Sequence, residues 1–400
     1  MSFETALTGL NAASADLDVT GNNVANSATT GFKSSRAEFA DIYALSNVGT
    51  AQTSIGQGVR LAAVTQQFTQ GQFDFTGNTL DLAVNGTGFF ALNANGTTAY
   101  SRNGAFQLDR DGFIVDADGH RLNGYQAGSN GAISGALGDL QVNIGNVAPQ
   151  ATANIGLSAN LDARAATIPT AFDAADPATY NFSTSTTVYD AQGKDHFATL
   201  YFQKQSDNVW DIYADGDDGT GAKDPATVTF DSRGEFVSAT GATTYSFNYA
   251  GAGTSNISVD YSSLTQYGSV FDVKELSQDG FSTGQFTNLG VEDDGRLLAR
   301  FTNGQSQTLG QIALSRFPSP QSLQQIGDTH WAETFASGAP VTAAPGSSGV
   351  GTIQGGALEK SNVNLTEQLV HMITAQRNFQ ANSQMISTQD QITQSILNIR

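Results

Sequence analysis

Apolar side chains recur along residues 361–400 at Leu365, Leu369, Met372, Phe379 and Ile386, close to seven apart, and the stripe then shifts to Met385, Ile392, Ile396 and Ile399. This segment contains neither glycine nor proline, although the chain holds 43 glycines, and all eight prolines fall between Pro149 and Pro345. Asn364 stands three residues before Glu367, a capping-box-like helix start with an asparagine cap. The pattern predicts a helix over about residues 364–399, about 54 Å long at ~1.5 Å per residue. A stripe this narrow on a helix this long needs a partner helix rather than an ordinary core.

The N-terminus supplies a matching pattern. Phe3, Leu10, Leu17 and Val24 are spaced seven apart, Leu7 adds the position four after Phe3, and the small residues Ala6, Ala13, Ser14 and Gly21 flank them. Heptad spacing favours a seam against another helix, and small residues let backbones approach closely. The expected assembly seam is therefore Phe3, Leu7, Leu10, Leu17, Val24, Leu365, Leu369, Met372, Phe379, Ile386, Ile392 and Ile396. Pairing the two ends folds the chain back on itself. Such helices are marginal alone, so residues 1–30 and 364–400 are expected to order on assembly, with protease trimming of the monomer stopping near residues 70 and 360.

Between the ends the period drops to two. Residues 66–75, 80–92 and 106–125 alternate or run apolar, and Asp111-Gly112 and Asp118-Gly119 mark hairpin turns. From about residue 144 to 283 the character changes to Ala-, Thr- and Asp-rich loops around strands at 185–189, 198–203 and 209–213. Strands resume at 295–301 and 311–317. The fold class is α+β, mostly β: terminal helices paired as a coiled-coil-like core domain (1–68 and 361–400), a middle β-domain (69–143 and 284–360) and a nested, inserted outer β-domain (144–283).

Composition narrows the possibilities. Charged residues make up only 14% of the chain, against a usual ~25%. The net charge is −19, and near-neutral ends leave −17 of it to the middle. An acidic middle repels nucleic acid and anionic membrane surfaces. There is no cysteine, which excludes disulfides and thiolate metal sites. No basic and apolar leader opens the sequence and no stretch of 18 apolar residues occurs, so neither a cleaved signal peptide nor a membrane-inserted helix is expected.

Candidate chemistry is sparse. His120, His196, His330 and His371 lie apart in sequence with no HxxxH or HExxH spacing, and no metal site is expected from them. Asp215, Asp217 and Asp218 resemble part of a calcium loop, but Gly219 and Ala226 stand where that loop needs oxygen ligands. Gly86-Thr87-Gly88 is followed by Ala91 rather than glycine, and so fails as a dinucleotide fingerprint. No G-x-S-x-G elbow occurs. Neither catalytic residues nor a cofactor site is expected.

Three blocks carry a family likeness. The first runs from Ser2-Phe3 through Gly9-Leu10-Asn11-Ala12-Ala13 and Gly21-Asn22-Asn23-Val24-Ala25-Asn26-Ser27 to Thr30-Gly31-Phe32-Lys33. The second is Tyr100-Ser101-Arg102-Asn103-Gly104-Ala105-Phe106 with Leu122-Asn123-Gly124-Tyr125. The third runs from Leu358-Glu359-Lys360-Ser361-Asn362-Val363 through Ala375-Gln376-Arg377-Asn378-Phe379 to Thr388-Gln389-Asp390-Gln391. In this order they resemble the bacterial flagellar rod and hook family of axial proteins. Its motif falls here on Asn22, Asn23, Asn26, Gly31, Phe32, Lys33, Ser361, Asn362, Val363, Gln376 and Arg377. The length, together with Ser185 to Gly193, Tyr201-Phe202 and Trp210 in the insert, is similar to hook members rather than the shorter rod members.

The resemblance implies a structural subunit, exported unfolded through the flagellar type III apparatus and polymerised outside the cell as the curved universal joint between rod and filament. It also implies partners: copies of itself, the hook cap, the distal rod, the hook-filament junction proteins and the hook-length ruler. The alternatives are a distal rod protein of the same family and, from another class, a secreted β-rich adhesin or glycan-binding module. The latter would need an exposed aromatic cluster on the insert.

Overall fold

The computed structural model describes residues 3–42, 56–128, 131–142 and 145–397, with the side chains of Ile396 and Leu397 left out. The expectations at Ser2, Ile399 and the Ile396 side chain therefore lie outside the described residues. Among the described residues the chain is mostly β, with two α-helices, α1 (Phe3–Ala25) and α2 (Leu365–Leu397). It divides into two compact units, residues 1–144 with 288–299 and 306–400, and residues 145–287 with 300–305.

In the first unit, α1 stops where the sequence turns to Asn, Ser, Thr and Gly. The Asn26 amide donates to the Asn22 carbonyl at 3.1 Å and the Ser27 amide to Val24 at 3.2 Å, closing the last turn. Gly31 follows at φ 71°, where a Cβ would stand 2.5 Å from the Asn103 nitrogen. Only glycine fits there. Strands Ser35–Asp41 and Val59–Gln66 then pair antiparallel, with a bulge between Glu38 and Phe39. This ribbon is not among the strands the pattern predicts, because none of its side chains is fully buried and its larger apolar residues, Phe39, Leu61 and Val64, are exposed.

The central run of the largest sheet has the order Ser306–Ile312, Arg121–Ala127, Phe89–Ala94, Thr97–Ser101, His330–Ala332, Gln324–Gly327. Phe89, Phe90, Ala91 and Leu92 are all buried, which is why this strand reads as a continuous apolar run. Phe89, Tyr100, Phe317 and Trp331 meet edge-to-face, with Phe89–Trp331 centroids 5.7 Å apart and Tyr100–Phe317 centroids 4.7 Å apart. The predicted strand over 80–92 is broken at Gly86 and Gly88 (φ 106° and 132°) into Leu82–Asn85 and Phe89–Ala94. Turns at Asp111-Gly112 and Asp118-Gly119 separate Gln107–Leu108, Ile114–Val115 and Arg121–Ala127.

In the second unit a five-stranded meander runs Phe182–Tyr189, Asp195–Ser206, Val209–Gly216, Ala226–Phe230, Phe236–Gly241. A second five-stranded sheet centres on Asn154–Asp162. One core of Leu157, Leu161, Leu200, Phe202, Trp210, Ile212, Tyr245 and Ile257 joins them. The strict alternation of burial along Val209–Gly216 explains why these strands were legible.

Candidate assembly site at the terminal helices

Helix α2 is capped by Asn364, whose Oδ1 accepts from the Thr366 amide at 3.1 Å and the Glu367 amide at 3.4 Å. Its contacts with α1 fix the relative sense of the two helices. Phe3 and Ala6 share a cavity of about 260 Å³ with Gln384, Met385, Thr388 and Ile392. A Cβ on Gly9 would stand 2.6 Å from Asn382 Oδ1. Asn23 Nδ2 donates to Gln368 Oε1 at 3.0 Å. Residues 3, 9 and 23 thus face partners that fall in number, so the two helices run antiparallel.

The buried line on α1 is Ala6, Ala13 and Thr20, again seven apart, ending at Asn23; on α2, only Ala375 is buried among the residues whose side chains are described. These lie three residues on from Phe3, Leu10 and Leu17. The small residues that flank the apolar heptad thus occupy the contact, and the larger apolar residues sit beside it. Leu10, Leu17, Val24, Met372, Phe379 and Ile386 are half-buried. Phe3, Leu7, Leu365, Leu369 and Ile392 are exposed, as are Val370 at 60% and Ile373 at 50%.

The base of the helix pair is held by polar bonds. Asn23 Oδ1 accepts from the Ser35 amide at 2.8 Å, and its Nδ2 donates to the Ser35 carbonyl at 2.7 Å. Asn362 Oδ1 accepts from the Ser34 amide at 2.8 Å, and its Nδ2 donates to the Gln67 carbonyl at 2.7 Å. Asn26 Nδ2 donates to the Asn22 carbonyl at 3.0 Å, and Ser361 Oγ accepts from the Val363 amide at 3.3 Å. Phe32 is buried; Asn22, Gln376 and Arg377 are exposed.

Beneath this base lies a buried charge cluster. Glu359 Oε1 accepts from Lys33 Nζ at 2.6 Å and from the Gly71 amide at 2.8 Å, while Oε2 accepts from Arg102 at 3.1 Å. The Glu359 carbonyl takes the Gly31 amide at 2.8 Å, and Lys33 Nζ also donates to the Thr69 carbonyl at 2.9 Å. The Lys33 and Glu359 side chains are 0% exposed. Burial lowers the Lys33 pKa, and Glu359 partly offsets this. Lys33 belongs to the family motif; Glu359 and Arg102 lie in the quoted blocks but were assigned no role from sequence. Arg102 Nε is buried without a hydrogen-bond partner.

Sequence comparisons match the chain along most of its length. The profiles described as "Flagella basal body rod protein", "Flagellar hook protein FlgE/F/G D1 domain", "Flagellar basal body protein FlaE D2 domain" and "Flagellar basal body rod FlgEFG protein C-terminal" match residues 3–33, 83–170, 160–281 and 354–399. The flagellar hook protein FlgE of Escherichia coli K12 is 39% identical over 411 residues, covering all of both chains. That of Borreliella burgdorferi is 30% identical over all of this chain and 99% of its own. The crystal structure of Helicobacter pylori flagellar hook protein FlgE2 is similar in fold, with a TM-score of 0.56 over 72% of this chain and all of that one at 16% identity.

Proposed function

The chain belongs to the flagellar hook protein family, and from that premise we propose that it is a non-catalytic subunit whose copies assemble into the curved hook, bending as it turns while torque passes from rod to filament. The observation that carries the assembly reading is the uncovered apolar row on α1 and α2. Phe3, Leu7, Leu365, Leu369, Val370, Ile373 and Ile392 stay in water in the single chain. Leu365, Leu369 and Ile373 recur four apart on one face of α2 with Val370 beside them, and an exposed apolar patch of this kind marks a protein–protein contact.

In our reading the antiparallel pair acts as a coiled-coil-like core (1–68 with 361–400) on which neighbouring copies stack. Residues 69–143 with 284–360 and residues 144–283 form two further, nested β-rich domains, and the acidic middle faces solvent. The subunit leaves the cell by the flagellar type III apparatus. It meets the hook cap, distal rod, junction and ruler proteins there.

Deleting residues 364–400 and imaging the cells by electron microscopy tests this. Absence of hooks and of swimming is the expected result; bent tubes of normal length would overturn the reading.

A second reading attaches to residues 145–287. Phe172 stacks on Tyr213 at 4.0 Å and meets Tyr201 at 5.3 Å, lining an open cavity with Asp215 and Lys223. These rings are half-buried rather than exposed, and they are the aromatic group on the insert that a glycan could reach through the cavity. Titration of the full chain with soluble glycans separates the readings, since a structural role alone gives no saturable binding lost in Tyr213→Ala.

A further inference from the structure

Asp116 sits in a hairpin turn, and its Oδ1 accepts from the Asp118 amide at 3.0 Å and the His120 amide at 2.8 Å. The same arrangement recurs at Asp109, with amides of Asp111 and Phe113 at 2.9 and 2.8 Å, and at Asp231, with amides of Arg233 and Glu235 at 2.8 and 2.9 Å. The turn therefore accounts for Oδ1. It does not account for what meets Oδ2.

His330 Nε2, 214 positions away on strand His330–Ala332, lies 2.9 Å from Asp116 Oδ2, and His120 Nδ1 lies 3.2 Å from the same atom. Asp118 Oδ2 is 3.9 Å from His330 Nδ1. The two imidazole rings stand edge to face, 5.1 Å apart at 78°. One ligand atom from each of the four side chains falls within 4.8 Å of all the others.

We propose that Asp116, Asp118, His120 and His330 form a binding site for a divalent transition cation of the zinc type. Two imidazole nitrogens and two carboxylate oxygens are a donor set such a cation takes, with metal–ligand distances of about 2.0–2.2 Å in a tetrahedron. The donors of such a tetrahedron stand roughly 3.3 Å apart. The contacts at 2.9 and 3.2 Å are already near that edge. The remaining adjustment falls to Asp118, whose side chain is 44% exposed and free to swing, while Asp116 and His330 are 7% and 6% exposed and fixed. Two carboxylates balance the double charge. Imidazole donors argue against calcium and magnesium, which prefer all-oxygen shells. A bound cation would pin the 116–120 turn to the strand carrying His330.

The competing account is a set of Asp–His hydrogen bonds with no affinity for a metal. Untagged full-length protein, stripped with a chelator, is titrated with zinc chloride by calorimetry and with cobalt(II) by visible absorption. The expected result is one equivalent bound with micromolar or tighter affinity, and a cobalt spectrum typical of tetrahedral coordination. His120→Ala and Asp118→Asn, both at partly exposed positions, should each weaken binding by at least about tenfold while leaving the chelator-treated melting curve in place. His196→Ala serves as a control, because His196 faces Asp190 and Asp217 elsewhere in the chain; it should bind as the parent does. Absence of stoichiometric binding, or equal binding in His120→Ala and Asp118→Asn, would overturn the assignment.

Discussion

Replacing Glu359 with glutamine removes one negative charge from between two buried cations and changes little else in volume. At an effective dielectric of ~20, contacts of 2.6 and 3.1 Å each correspond to a gross attraction of about 5–6 kcal/mol. Most of that offsets the cost of taking the charges out of water. Removing one partner of a buried pair leaves a net loss of about 3–5 kcal/mol. Lys33 has an escape, since it can shed its proton at about 1.4 kcal/mol per pH unit below its ordinary value of ~10.4. At pH 7 this caps its share at about 4.6 kcal/mol. Arg102 has no such escape. The Lys33→Met variant, by contrast, leaves a balanced Glu359–Arg102 pair, and Glu359 Oε1 keeps the Gly71 amide at 2.8 Å while the Thr69 carbonyl keeps Asn362 Nδ2 at 3.2 Å, so it should lose less, about 1–3 kcal/mol for the hydrogen bonds removed. Each unit carries one tryptophan, Trp331 in the first and Trp210 in the second. Urea unfolding followed by fluorescence in Trp210→Phe and Trp331→Phe backgrounds therefore reads the units separately. Glu359→Gln should lower the Trp331 transition and leave the Trp210 transition in place. A loss under about 1 kcal/mol, or a larger loss in Lys33→Met than in Glu359→Gln, would refute the charge-balance argument.

The paired change Leu369→Ser and Ile373→Ser should lower the stability of the monomer by at most about 2 kcal/mol, about 1 kcal/mol for the covered half of each side chain. The same change should raise the critical concentration for polymerisation, measured by sedimentation, by roughly 30-fold or more, at about 1 kcal/mol for each half-exposed side chain covered. Ala13→Leu overfills the buried line between the helices and should destabilise the helix contact by about 1–3 kcal/mol, read as earlier loss of helical circular dichroism on heating. Burial raises the Tyr245 pKa to about 12, above its unfolded value of ~10. That contribution is complete below pH 10 and is lost as pH rises through about 12, so the Trp210 transition should weaken in this window and weaken less in Tyr245→Phe. Trimming of the monomer from the C-terminal side with a protease of broad specificity, followed by mass spectrometry, should stop near residue 360, where Asn362 ties the chain to Ser34 and Gln67.

What the sequence revealed followed from where burial is one-sided. The two helices announced themselves through heptads, and Val209–Gly216 through alternation, because each presents one face to a core and one to water. The ribbon of Ser35–Asp41 and Val59–Gln66 was not legible because it buries little on either face. The contact line of α1 was displaced by three residues from the stripe that predicted it. Ala6 and Ala13 were read as small residues flanking the stripe, whereas they form the contact line itself together with Thr20, which the heptad reading did not single out. The charge cluster was beyond reach for another reason. Lys33 and Glu359 are 326 positions apart, and nothing local to either says that the other is near. His120 and His330 were set aside because no ligand spacing links them along the chain, and their rings, 5.1 Å apart, are brought together only by the fold.

A subunit that joins a bending polymer has two conflicting needs, and the distribution of contacts separates them. Where the helices leave the β-rich part, the anchoring groups are paired: Asn23 and Asn362 hold backbone on Ser34, Ser35 and Gln67, and Glu359 joins Lys33 to Arg102. Bonds of this kind break abruptly when displaced, because an unpaired buried group costs more than the bond contributes. Along the helices the buried line on α1 is alanine and threonine, Gly9 lies against Asn382, and the buried residue of α2 among those described is Ala375, with no ion pair among them. Such a seam has little area to lose and no charge to strand, so small relative shifts are inexpensive. The large apolar residues beside it are left for neighbouring copies. If torque must pass while subunit spacing changes, the stiff part belongs at the base and the sliding part along the helices.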